Sequence, residues 1–239
     1  SEKRKTAILE RFQEQFSERD DIIYTVDFYE YDEEDYQNSW KKYLFPEKVS
    51  EKFVVKPTWR EYEPEEDELI IELDPGRAFG TGSHPTTSLC LKLMEENIKA
   101  GDSVIDVGTG SGILMIAADR LGASEIYGTD IDELAVESAK ENLELNKIDG
   151  NKAKVFKDDL ISVVENKKFD VVVANILADV LLILLNDISK VVKKDGLIIF
   201  SGIIEDKCEI LKKEIEALGF EILEIKADKE WRAMLIKAN

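Results

Sequence analysis

From residue 102 onward the chain alternates short apolar runs with stretches of helical periodicity. The runs are SVIDV (103–107), EIYGTD (125–130), AKVF (153–156), FDVVVAN (169–175), GLIIFSG (196–202), FEILEIKA (220–227) and WRAMLIK (231–237). Helices are expected from Gly112, over Asp132 to Asn146, after FDVVVAN and over 205–218. Apolar strands joined through helices pair in parallel and need helices on both faces of the sheet. Only ADKE (227–230) separates the last two strands, too few residues for a parallel crossover, so WRAMLIK is expected to run antiparallel to its neighbour. The pattern predicts a doubly wound α/β fold with a seven-stranded, mostly parallel sheet and an antiparallel last strand.

The preceding residues are less regular. Ile8, Leu9, Phe12 and Phe16 have helical spacing within 3–19, IIYTVDF (22–28) reads as a strand, and a second helix is expected around Glu33–Leu44. KFVVKPTW follows, and the acidic segment 60–68 connects it to the strand LIIEL (69–73). Residues 1–56 are therefore read as a short α+β extension and 57–239 as the main domain. A length of 239 residues suits one full domain plus a smaller appendage.

Composition excludes several function classes. No run of about 18 apolar residues is present to span a bilayer, and SEKRKTAILE lacks the apolar core of a signal peptide. A cytoplasmic protein is expected. Cys90 and Cys208 lie far apart in helical stretches, which suits reduced thiols; with one histidine, no metal-ligand spacing is visible. A formal net charge of -19 repels polyphosphate, so a nucleic-acid partner is disfavoured; a basic protein partner would be steered toward such a surface, with solubility the simpler reading of the charge.

VIDVGTGSGIL (104–114) is an apolar strand ending in Asp106, a turn with Gly108, Gly110 and Gly112, and then a helix. Glycine lets the backbone turn tightly and lets a ligand approach the main chain at the carboxyl edge of the sheet, where open α/β folds bind ligands. The spacing is GxGxG; the dinucleotide fingerprint GxGxxG would need glycine where Ile113 stands. Asp130 ends the next strand, 22 positions after Gly108, where a carboxylate can accept both ribose hydroxyls. Asp132 reads as a helix N-cap. At the end of the third strand either Asp158 or Asp159 could accept from an adenine amino group, with capping as the alternative.

On these residues the chain resembles the class I S-adenosylmethionine-dependent methyltransferases. Within them it is similar to the bacterial PrmA family, which acts on the eleventh large-subunit ribosomal protein. The likeness runs from about Trp40 onward and rests on ELIIELDPGRAFGTGSHPTTSLCL, VIDVGTGSGIL, GTDIDELAVESAKENLELN, VVVANILADVL and FSGII. It implies a Rossmann-like fold, S-adenosylmethionine as cofactor and S-adenosylhomocysteine as product. Thr87, Gly108, Asp130 and Asn175 match the family's cofactor contacts; Asp106, Gly110, Ile131 and Asp159 are assigned to the same pocket. The family carries a separate N-terminal domain that recognises the substrate, and residues 1–56 match only its tail and linker.

DPGRAFGTGSHPTTSL (74–89) holds three glycines, two prolines and the only histidine of the chain. Pro85 suits the first turn of a helix, which places Thr86 and Thr87 there too. That helix end is expected to offer open N–H groups and hydroxyls to the carboxylate of an amino-acid cofactor. Gly80 and its neighbours are expected to fold over the cofactor, with Phe79 covering an apolar face. His84 reads as a structural residue that orients the turn through a hydrogen bond, in preference to a general base.

Asn175 closes the fourth strand beside the glycine turn. Its side-chain carbonyl can accept from an attacking amine and aim the lone pair; helix capping is the simpler alternative. Methyltransferases of planar amides or base amino groups carry proline and an aromatic ring after this residue. Ile176 and Leu177 stand here, which favours an aliphatic amine. Deprotonating a lysine costs about 4.6 kcal/mol at pH 7 and an α-amine about 1 kcal/mol. Burial lowers that cost, so no dedicated base is required. Asn175 and Thr87 are taken as the catalytic pair. The resemblance implies a protein N-methyltransferase acting on lysine ε-amines of a basic large-subunit ribosomal protein free of the ribosome, with its N-terminal α-amine as a further candidate. The alternatives are an RNA or glutamine methyltransferase, or a cofactor-binding domain inactive without its recognition domain.

Overall fold

The computed structural model describes residues 43–74, 82, 84–164 and 167–239. The helix expected over 3–19, the strand 22–28 and nearly all of the helix 33–44 lie outside them, as do Phe79 and Gly80. A compact unit spans Phe45–Asn239. Its start lies ahead of the boundary expected at 56/57, because residues 45–56 contribute Phe53, Val54 and Val55 to its interior.

Strands β1 (Glu47–Lys48), β2 (Phe53–Pro57) and β3 (Leu69–Leu73) form a small sheet in that order, β1 antiparallel and β3 parallel to β2. Helix α1 (Pro85–Asn97) leads into the main sheet. There the elements are β4 (Ser103–Val107), α2 (Ile113–Arg120), β5 (Glu125–Asp130), α3 (Glu133–Leu145), β6 (Ala153–Lys157), β7 (Phe169–Asn175) and α4 (Ala178–Leu185). β8 (Val192–Ile204), α5 (Glu205–Ala217), β9 (Glu221–Asp228) and β10 (Trp231–Lys237) complete it.

The strand order is β6-β5-β4-β7-β8-β10-β9, seven strands as the alternation predicted. β4 to β8 are mutually parallel, and β10 inserts antiparallel between β8 and β9. Successive residues of each central strand point to opposite faces. Val104, Val171, Val173 and Ile199 pack with α1, α2 and α3, whereas Ile105, Val172, Ile198 and Phe200 pack with α4 and α5. Burial on both faces is why these strands read as unbroken apolar runs. From β4 the chain winds outward to β5 and β6 and then returns to β7 on the other side. This reversal opens a crevice at the carboxyl ends of β4 and β7, the ligand position of such sheets.

Candidate active site

At the carboxyl end of β4 the chain must leave the sheet and enter α2 within five residues. Gly108, Gly110 and Gly112 accomplish this with φ of 75°, 55° and 79°, a region that a Cβ disfavours. Space adds a second constraint: a Cβ on Gly108 would lie 2.4 Å from Cγ2 of Ile176, and one on Gly112 3.2 Å from Cα of Ala139. The turn is fixed from β5. The amides of Gly108 and Thr109 donate to the Thr129 carbonyl at 2.8 and 2.9 Å, and the Gly110 amide donates to Oδ2 of Asp130 at 2.9 Å. Oδ1 of Asp130 accepts from the Asp132 amide at 3.0 Å. Asp132 in turn caps α3, accepting from the Leu134 amide at 3.0 Å. Asp130 therefore ties the glycine turn to the start of α3 and still lines the crevice.

Asp106 lies behind the turn and contributes nothing to the crevice wall. It is buried, its Oδ2 accepts from Thr109 Oγ1 at 2.7 Å, and its Oδ1 has no hydrogen-bond partner among the described residues. Burial pushes its pKa up to about 7, opposed by the Thr109 hydroxyl and reinforced by the charge of Asp130. The expected place of Asp106 among the contact residues is thus moved one layer back, where Thr109 stands between it and the crevice.

α1 supplies the opposite wall. Nδ1 of His84 accepts from the Thr86 amide at 3.3 Å and lies 2.8 Å from Thr86 Oγ1, so His84 is the N-cap, with Pro85 in the first turn. Its ring meets that of Trp231 edge-on, centroids 5.2 Å apart. The open amides expected at this helix end are already taken, since those of Thr87 and Ser88 donate to the His84 carbonyl at 3.0 and 3.1 Å. The Thr86 hydroxyl donates to the same ring nitrogen, so the helix dipole is what remains here to attract an anion. Ser201 Oγ on β8 donates to the Thr86 carbonyl at 2.7 Å, and Asn175 Nδ2 donates to Thr87 Oγ1 at 3.3 Å. β7, β8 and α1 converge on one point.

The crevice between these walls measures about 920 Å³. Thr86, Thr87, Gly108, Gly110, Asp130, Ile131, Asp159 and Asn175, all expected from the sequence, line it together. Asp158 and Asp159 separate by role. Asp158 Oδ2 accepts from the Val163 amide at 2.7 Å, whereas the Asp159 side chain makes no such bond among the described residues. The sequence reading missed Thr129, Leu160, Gly202 and Trp231. Thr129 donates to the carbonyl of Leu160, and Leu160 holds a φ of 63°, which brings the segment after β6 over the crevice. Trp231 carried only the signal of a strand's first residue. Trp231 nonetheless lines the crevice, so the lack of an aromatic after Asn175 does not leave the pocket without an aromatic residue.

The residues fit a nucleoside cofactor with an amino-acid arm. A glycine cradle that a Cβ would fill, a carboxylate at the end of β5 and apolar Ile131 and Leu160 suit the nucleoside. Hydroxyls at a helix N-terminus suit the arm. Among the described residues no group of three or more His, Cys, Asp or Glu side chains could hold a metal ion, and no helix is long and apolar enough to cross a membrane.

Comparison with known proteins agrees with this geometry. Residues 1–239 match the family model described as ribosomal protein L11 methyltransferase (PrmA). A ribosomal protein L11 methyltransferase of Fusobacterium nucleatum is 65% identical over 237 residues, which cover 99% of this chain and 76% of that protein. One from Clostridium perfringens is 46% identical over 205 residues, covering 86% of this chain and 64% of that protein. The chain thus aligns with about two thirds to three quarters of the length of these relatives. The crystal structure of a ribosomal protein L11 methylase from Lactobacillus delbrueckii subsp. bulgaricus superposes with a TM-score of 0.77 at 36% identity, covering 82% of this chain and 100% of that one. With the whole chain matched, and with fold and crevice in agreement, this protein belongs to the PrmA family of ribosomal protein L11 methyltransferases.

Proposed function

We propose that the chain transfers methyl groups from S-adenosylmethionine to lysine ε-amines of ribosomal protein L11, with the N-terminal α-amine as a second acceptor. The supporting observation is the bond from Asn175 Nδ2 to Thr87 Oγ1. It commits the amide nitrogen to α1 and leaves Oδ1, the acceptor atom, for an incoming amine at the crevice wall. When bound, the cofactor supplies a methyl group already activated by its sulfonium sulfur. The chain's own work is alignment, and effective molarities of about 10⁵–10⁸ M measure how much alignment can contribute.

The assignments follow the walls. Backbone at Gly108 and Gly110 allows close approach, and Asp130 keeps lone pairs for ribose hydroxyls. Ile131 and Asp159 face the base, and the N-terminal end of α1 at Thr86, through the helix dipole, faces the carboxylate. Apolar Ile176 and Leu177 beside Asn175 disfavour the charged ammonium and so favour the neutral nucleophile. A net charge of -19 attracts a basic ribosomal protein and repels ribosomal RNA. That supports action in the cytoplasm on L11 free of the ribosome.

The test is to incubate the protein with isotope-labelled S-adenosylmethionine and unmethylated L11, alone and assembled in ribosomes, with and without nuclease. Label on lysines or the N-terminus of free L11 is expected. Label in RNA would replace the acceptor assignment, and cofactor binding without transfer would make the chain a cofactor-binding domain only.

A further inference from the structure

β3 is an edge of the small sheet, and its outer side needs hydrogen-bond partners. Two asparagines of the α3 segment provide them. Asn146 Oδ1 accepts from the Glu72 amide at 3.1 Å, its Nδ2 donates to the Glu72 carbonyl at 2.7 Å, and Asn142 Oδ1 accepts from the Asp74 amide at 3.0 Å. The registers match. Four residues of helix rise about 6.0 Å and two residues of strand about 6.6 Å, so the two side chains act as a substitute strand. Both are buried, at 2% and 7% exposure.

Only one of the pair reaches the glycine turn. Asn142 Nδ2 donates to the carbonyl of Ser111 at 2.9 Å, inside the glycine turn, one helical turn beyond the place where Gly112 presses on Ala139. Asn146 instead accepts from Arg120 Nη2 at 3.0 Å, away from the turn. We propose that Asn142 is a positioning residue for the cofactor. By holding the Ser111 carbonyl from α3 it fixes the glycine turn relative to Asp130, which sits at the head of the same helix segment. The turn is thereby held from both ends of α3, at Gly110 through Asp130 and at Ser111 through Asn142. The inference rests on the reading of the glycine turn as the cofactor cradle.

The test compares Asn142→Ala with Asn146→Ala, measuring the Kd for S-adenosylmethionine by calorimetry and the Tm of each protein. Asn146→Ala removes more hydrogen bonds yet does not touch the turn. Asn142→Ala is expected to raise Kd about fivefold to tenfold, while Asn146→Ala lowers Tm and leaves Kd within twofold. A Kd within twofold of the parent for Asn142→Ala overturns the proposal, as does an equal rise in both variants, which would mark a general scaffold effect. If the alanine variant does not fold, Asn142→Asp keeps the acceptor for Asp74 and loses the donor to Ser111, with the same outcomes. Asp130→Ala in the same titration separates the two levels: unchanged affinity there removes the cradle reading, whereas a loss there with Asn142 silent removes this inference alone.

Discussion

Asn175, the last residue of β7, donates from Nδ2 to Oγ1 of Thr87, the third residue of α1, across 3.3 Å. Thr87 is fully buried, so this hydroxyl has one place to be and fixes which way the amide faces. Asn175→Ala is expected to bind cofactor with little change and to lose about 100-fold or more in kcat, since it removes the acceptor proposed above to align the amine. Thr87→Val keeps the shape but frees the amide to rotate, and about a tenfold loss is expected; Thr87→Ser should recover most of it. Steady-state kinetics at saturating cofactor, paired with calorimetry, measures both. Unchanged turnover in Asn175→Ala would remove the residue from the mechanism.

Gly202 supports the same point from β8. Its φ is 80°, and a Cβ there would lie 2.3 Å from the carbonyl oxygen of Ile176, the residue after Asn175. Gly101 is a suitable control, with φ 95° and nothing within 4 Å of an added Cβ. Alanine at either position incurs a left-handed strain of about 1–2 kcal/mol. Only Gly202→Ala must also push the Ile176 peptide, so its kcat is expected to fall at least tenfold beyond that of Gly101→Ala. Equal activity in the two variants would show that the Asn175–Ile176 backbone tolerates displacement.

The parts of this fold legible in the sequence are those that local pattern determines. Apolar strands at regular spacing set the seven-stranded sheet, the GxGxG turn set the crevice, and Asp130 and Asp132 stand at the end of β5 and the cap of α3 as expected. What stayed hidden depends on distant segments meeting. ADKE required an antiparallel β10, but nothing local told that it would insert between β8 and β9, and so bring Trp231 to His84. Asn142 and Asn146 read as ordinary polar residues of a helix, because the edge strand they complete lies about seventy positions away. Asp106 was legible as a carboxylate at the turn, while its burial behind Thr109 was not, since depth depends on what packs over it. The open amides expected at α1 were lost to a local competitor, the His84 carbonyl, which accepts from two of them.

Asp106 gives the apo protein a pH-dependent stability. Its carboxyl has a pKa of about 7 in the folded state against an ordinary value of 3.8, raised chiefly by burial. Between these values the folded chain holds a proton that the unfolded chain has released. Stability from this group is therefore full below about pH 4 and is lost as pH rises through 7. A carboxamide at this position cannot titrate, so the Asp106→Asn variant should gain on the parent as pH increases, by about 2 kcal/mol between pH 5.5 and pH 8. Urea unfolding of both proteins without cofactor at the two pH values measures the difference. A constant difference would mean that Asp106 is already ionised in the folded protein.

The fate of the proton lost by the amine is open to a kinetic measurement. A lysine acceptor with an ordinary pKa of about 10.4 is deprotonated about tenfold more at each higher pH unit near neutrality. If Asn175 and the apolar wall merely orient the neutral amine, kcat/KM for a lysine-bearing acceptor at saturating cofactor should rise with unit slope from pH 6.5 to about 9. An acceptor presenting only its α-amine, with a pKa of about 7.8, should level off above pH 8. The two profiles distinguish the acceptors without reference to sequence. A profile that plateaus near neutrality for both would require a base within the chain. His84, on the crevice wall, would then be the first candidate. Its Nδ1, however, is engaged with Thr86 as the helix cap, and asparagine is an equally good cap. His84→Asn is accordingly expected to keep at least a third of the parent turnover with the slope unaltered. A parent profile that plateaus, with the unit slope appearing only in that variant, would assign the proton to His84.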